Sequence, residues 1–183
     1  MGLPLTGMGA AVTAGLAQSP TSGRTIAPMQ PKSKTLAAWL ALLAGSLGAH
    51  RFYLYGWHDL LAWLHPVPTL LGLAGVIRMR NLGQDDLASW LLIPLLGLML
   101  AQAMLFAIIH GLTPDERWAQ RWQPGYSDGQ PVPSSGWPAV IAVIIALLVG
   151  GGVLMGTLAF GGQKYFEYQA LQQYSATSAP SPK

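Results

Sequence analysis

The sequence predicts an all-α, polytopic membrane helix bundle of four transmembrane helices, with a short interfacial helix and disordered tails. Three observations predict it. Four apolar runs, at roughly residues 35–55, 57–79, 87–112 and 137–160, each hold about 20 or more residues. That length crosses a hydrocarbon core about 30 Å thick at 1.5 Å per residue. The run from Trp137 to Phe160 contains no charge. Across 183 residues, 51% are hydrophobic and 9% charged, against about 25% charged in soluble domains, so most of the outer surface must face lipid.

The first 31 residues read as a flexible tail, rich in Gly, Pro, Ser and Thr, with Arg24 as its charge up to residue 30. Pro4, Gly7 and Gly9 interrupt any signal-peptide core, and the start is not basic. The opening Met1–Thr6 matches the N-myristoylation pattern, a short pattern that recurs by chance. At the other end, 163–183 is a C-terminal tail, and its Ser/Pro/Ala-rich part from Ser175 reads as disordered. The chain has no cysteine, which excludes disulfides, thiolate metal sites and cysteine nucleophiles. A net charge of +3 without any Lys/Arg cluster interleaved with aromatics implies no nucleic acid.

In the first run Ala37, Ala41, Gly45 and Gly48 fall on one helical face, where another backbone can approach closely. Gly72 and Gly75 offer a counterface in the second run, and a short loop around Gly56 would join the two as an antiparallel hairpin. With four crossings, Arg24, Lys32, Lys34, Arg78, Arg80 and Lys164 share one side, while Arg51, Arg117 and Arg121 lie on the other. Positive-inside bias then places both termini in the cytoplasm, in a plasma membrane that would be the inner membrane of a prokaryote.

Lys32-Ser33-Lys34, an Ala/Leu-rich run, and then Gly45-Ser46-Leu47-Gly48-Ala49-His50-Arg51-Phe52-Tyr53-Leu54 resemble the two-transmembrane (TM-two) domain family over residues 32–80. The family signature is G-x-x-G-x-H-R-F-Y-L-G. This chain departs from it once: Tyr55 stands where the last Gly is usual, and Gly56 follows. The resemblance implies a helical hairpin and brings no established reaction. His50, Arg51, Phe52 and Tyr53 form a candidate lipid or partner contact, with Arg51 snorkelling to headgroup phosphates among interface aromatics. A plainer role, fixing the depth of the hairpin turn, is preferred.

His65-Pro66-Val67-Pro68 should kink the second run, because each proline removes a backbone donor. His65 at membrane depth is a functional candidate by type. His58, Asp59 and His110 are its conceivable partners, yet no metal-ligand spacing links them, so a hydrogen bond to a carbonyl freed by Pro66 or Pro68 is preferred. The third and fourth helices occupy 81–162. Gln102, beside Gly97 and Ala101, can hydrogen-bond to a neighbouring helix. Gly152 and Gly156 form a GxxxG that serves dimerisation or internal packing equally.

The loop at 113–136 should begin with an interfacial helix, with Thr113 as N-cap, Pro114 at N1 and Glu116 completing a capping box. Arg117, Arg121, Trp118 and Trp122 would lie in the headgroup plane. Asp115 and Glu116 fit helix-start electrostatics better than catalysis. No catalytic residue set, cofactor site or metal site emerges. The expected function is a structural or protein-interaction component of the membrane, partnered by lipid and by another membrane protein or a second copy. The alternative is a small transporter or channel component using polar groups such as His65 and Gln102.

Overall fold

The computed structural model describes residues 31–178, which are largely helical, the longest irregular stretch being 123–135. The helices are α1 (Lys34–Ala44), α2 (Ala49–Tyr55), α3 (Leu60–Leu64), α4 (Pro66–Leu82), α5 (Leu87–Leu112), α6 (Asp115–Trp122) and α7 (Gly136–Ser178). The N-terminal tail up to residue 30 and residues 179–183 lie outside the described residues. The C-terminal tail expected from 163 is helical through Ser178, as a continuation of α7.

Among the described residues, three helices are long and apolar enough to cross a membrane: Leu60–Leu82, Leu87–Leu112 and Gly136–Ser175. The first of the four expected spans is not among them. Residues 35–55 divide into α1, a 3₁₀ turn at Gly45–Leu47, and α2, and the chain reverses between them. The reversal is fixed by contacts at the far ends. Tyr53 Oη accepts from the Ser33 amide at 2.7 Å, Lys32 Nζ reaches Leu54 O, and Leu54 packs with Ala37 and Trp118. The 11 residues of α1 rise only about 16 Å, roughly half of a hydrocarbon core. Apolar composition recorded burial correctly here but carried no information about chain direction.

Helix α5 is central. α4 runs antiparallel to it, with Gly72 against Leu96 and Gly75 against Leu92. The glycines expected to face the first run therefore face α5. α7 runs antiparallel on another side, with Gly111 near Val143, Gly150 near Met104, and Trp90 stacked on Phe160 at 4.0 Å. α1 lies across α5 and α7, and Ala38, Ala41 and Leu42 are buried with Met104, Ala107, Ala142 and Ala146. Trp39 Nε1 and Thr35 Oγ1 bond to the carbonyls of Pro138 and Ser135 at the start of α7.

The two ends of the bundle differ in charge. Lys32, Lys34, Arg51, Arg117 and Arg121 lie at the end that holds α6. Arg78 and Arg80 lie at the other, where Lys164 stands over Trp90 at 4.6 Å. Both termini were expected on one side because four crossings were counted; three spanning helices put Lys32 and Lys164 at opposite ends. At the second end Asp86 caps α5 through Ser89 N and pairs with Arg78 at 2.9 Å. That guanidinium, with the Ser89 hydroxyl, holds the Asp86 carboxyl down at about 2.

Thr113 does not cap α6. It ends α5, donating its hydroxyl to Ile109 O at 2.6 Å, and α6 begins at Asp115 without a side-chain cap. Asp115 instead pairs with Lys34 at 2.5 Å and accepts from Ser135, which ties α6 to the starts of α1 and α7. Burial raises its carboxyl, and the hydrogen bonds from Lys34 and Ser135 more than offset this, leaving it low.

The α4–α5 contact yields a direct test. A side chain at Gly72 would meet Leu96 at 2.5 Å and one at Gly75 would meet Leu92 at 2.6 Å, whereas nothing lies within 4 Å of a Cβ at Gly152. Gly72→Leu and Gly75→Leu should each lower stability by about 1–3 kcal/mol or more through overpacking. Gly152→Leu should leave the detergent melting temperature within a degree or two. Equal tolerance of all three would exclude the close contact.

Candidate functional site

The hairpin turn brings together residues that lie far apart in sequence. Gly45 packs on α5, where an added Cβ would fall 2.8 Å from the Ala103 Cβ. Gly48 has φ +81, in the left-handed region, and its Cα faces the Ala62 carbonyl. An alanine there would suffer both backbone strain and a 2.5 Å contact with that oxygen. Gly48 N donates to Gly45 O at 2.9 Å, and Thr69 Oγ1 donates to Ser46 O at 2.6 Å, so the turn's backbone is satisfied by α4 and by itself.

His50 follows immediately and points inward, 2% exposed. Its ring centroid lies 5.8 Å from His65, 5.8 Å from His110 and 5.0 Å from Phe106. Three imidazoles from α2, the α3–α4 junction and α5 thus converge. His65 Nδ1 sits 2.6 Å from Leu61 O. A carbonyl only accepts, so Nδ1 is the donor in this contact. The carbonyls that Pro66 and Pro68 leave free belong to Ala62 and Leu64, so His65 serves a different one from those expected. Both ring nitrogens of His50, and Nε2 of His65 and His110, have no hydrogen-bond partner among the described residues. No group of three His, Cys, Asp or Glu side chains among those residues is placed to hold a metal ion.

The other three signature residues stand at the rim. Arg51 Nε donates to Asp59 Oδ2 at 2.7 Å, and its guanidinium lies 5.0 Å from the Tyr55 ring. Asp59 also caps α3 through Leu61 N at 3.2 Å. The Arg51 guanidinium holds the Asp59 carboxyl below the usual carboxylate range. Phe52 packs on Trp57 and Trp63, each with centroids 5.2 Å away. Tyr53 is occupied with Ser33. Of the four candidate contact residues, His50 is thus enclosed, Arg51 is paired within the chain, and Phe52 and Tyr53 are half-buried.

The TM2 domain family model matches residues 30–79. The chain carries a TM2 domain. In the structure that domain comprises the hairpin α1–α2 together with α3 and most of α4, and α5, α6 and α7 lie beyond it. Comparison with curated proteins and with solved structures finds no match. The TM2 signature marks the turn at Gly48 and the inward His50, but two of the three imidazoles stand outside the signature string. Spacing could not reveal that cluster. It forms because the reversal returns α2 to the level of His110. Trp118 of α6 is 4% exposed, donating to Lys32 O at 2.7 Å and packing against His110.

Two glycines of positive φ differ in what surrounds them. Gly56 has φ +84 with nothing within 4 Å, whereas Gly48 adds the Ala62 contact. Gly56 pairs φ +84 with ψ −176, a region open essentially to glycine alone, so Gly56→Ala carries strain without crowding. Gly48 lies in the left-handed helical well, where a side chain costs about 1–2 kcal/mol from strain alone. Gly48→Ala should lose more than that in detergent unfolding, because the Ala62 carbonyl adds crowding, and a loss no larger than the strain would contradict the close approach of α3.

Proposed function

We propose that this integral membrane protein acts by association, as a structural or protein-interaction component of the membrane, and catalyses no reaction. The observation that carries the reading is the outer face of α5 and α7. Gly151, Gly152 and Gly156 have nothing within 4 Å of an added Cβ, so α7 leaves a run of small residues uncovered. The adjoining grooves on α5 are lined almost wholly by apolar side chains. In a bilayer, exposed small residues let a second helix approach closely.

The setting proposed is a plasma membrane. α1 and α2 enter as a re-entrant hairpin from the side that holds α6, and α6 lies at the interface there. Five basic residues at that end against three at the other support a cytoplasmic location for the residue-32 end, with Lys164 outside. Reporter fusions after Gly129 and after Lys183 should report opposite sides, the first cytoplasmic. The reverse pattern, an outside signal after Gly129 and a cytoplasmic one after Lys183, would return the chain to four crossings.

One observation favours a second reading, a small transporter or channel component. The unpaired imidazole nitrogens of His50, His65 and His110 sit together inside the bundle, and buried histidines are able to relay protons. His65 and Gln102 do not line a common path, because His65 faces His50 and Gln102 is exposed on the outside of α5. In pH-jump measurements on proteoliposomes, proton entry should match that of protein-free vesicles. A flux that His50→Phe removes would overturn the association reading in favour of transport.

A further inference from the structure

We propose that the outer face of α5 is a self-association surface, on which a second copy of this chain docks with Gln102 paired to Gln102. The inference deepens the association reading above and rests on it. From Leu91 onward the exposed residues of α5 are Leu91, Leu98, Gln102, Leu105, Ile109 and Leu112. From Leu98 their spacings are four, three, four and three, and Leu91 precedes Leu98 by seven. Four-three spacing places them on one face, the geometry that lets a helix pack along a seam against a like helix. The stripe is narrow because α1, α4 and α7 cover the other faces of α5, and the polar residue within it is what separates it from a face made only for lipid.

Gln102 is the polar member of the seam, near the middle of the 26-residue span. Its amide offers two donors and an acceptor, and no hydrogen bond from it forms within the described residues. At that depth lipid supplies no polar partner, so the amide is costly there until another helix meets it. A second copy supplies that partner by symmetry. A two-fold axis along the membrane normal sets every residue opposite its own copy at equal depth. A carboxamide is complementary to itself, its N–H donating to the other carbonyl. A single polar residue in an apolar heptad seam also fixes register and favours one oligomeric state. Beside the seam, Gly151 leaves the α7 backbone open, so side chains of the second α5 can seat between Leu147 and Leu154.

The absence of cysteine permits a clean experiment on the full chain in liposomes. Leu98→Cys and Leu105→Cys each place a single thiol in the seam, and Leu71→Cys places one on the exposed face of α4 as a control. Under mild oxidation the two seam variants should form a species of twice the 19.4 kDa mass, and the α4 variant should not. Adding Gln102→Leu should weaken the dimer about three- to thirty-fold, the range for one interhelical hydrogen bond in a bilayer, while Gln102→Asn retains it. Because Gln102 faces outward, Gln102→Leu should leave helicity and melting temperature unchanged. Seam thiols that do not cross-link, or a dimer indifferent to Gln102→Leu, would overturn the proposal. Repeating the oxidation in native membranes separates the two readings. Seam adducts only to a protein of another mass would remove the second copy and leave association standing. The lone chain in both preparations would remove both.

Discussion

Close backbone approach to α5 is the constraint on which the rest of the bundle depends. Within a bilayer, lipid tails are as apolar as leucine, so helices gain by contact that lipid cannot match. The chain meets this with small residues at the crossings. Gly72 and Gly75 set α4 against Leu96 and Leu92, Gly45 sets the hairpin against Ala103, and Gly150 sets α7 against Met104. The buried Ala38 and Ala41 of α1 follow from the same rule, because they fill the space that α5 and α7 leave between them. The bundle has few large buried side chains, and its uniqueness comes from geometry at these crossings.

A chain that reverses among apolar helices must also satisfy its own backbone. The hairpin does so with a 3₁₀ turn, a left-handed Gly48, and the Thr69 hydroxyl placed on Ser46 O. The open end of the hairpin is held by polar contacts at the α6 end: Lys34 with Asp115, Trp118 with Lys32 O, and Ser33 with Tyr53. These partners come from well-separated segments, so α6 acts as a clasp on the TM2 domain. Arg51 and Asp59 perform the same service for the α2–α3 connection, each satisfying the other's charge where the chain leaves the bundle. Burial of His50 is then a consequence. Once α2 returns beside α5, the residue after Ala49 has only His65, His110 and Phe106 to face.

The amino-acid sequence by itself determined the membrane class and the spans at 87–112 and 137–160. Length and apolar content decide whether a segment can lie in hydrocarbon, and both are local properties. Gly45 and Gly48 read from the sequence as one face of a continuous helix, with the turn near Gly56, whereas the chain reverses at Gly45–Gly48 through a 3₁₀ turn and a left-handed Gly48. Direction was decided only by the tertiary structure. Residues 35–55 have the same composition as one span or as two half-length helices, and the choice rests on contacts between Ser33 and Tyr53 and between Lys32 and Leu54. The number of crossings, the ends at which the basic residues lie, and the meeting of His50 with His65 and His110 all follow from that choice. So does the exposure of Gln102, since whether a polar residue in an apolar helix faces a neighbour or lipid depends on which other helices arrive beside it.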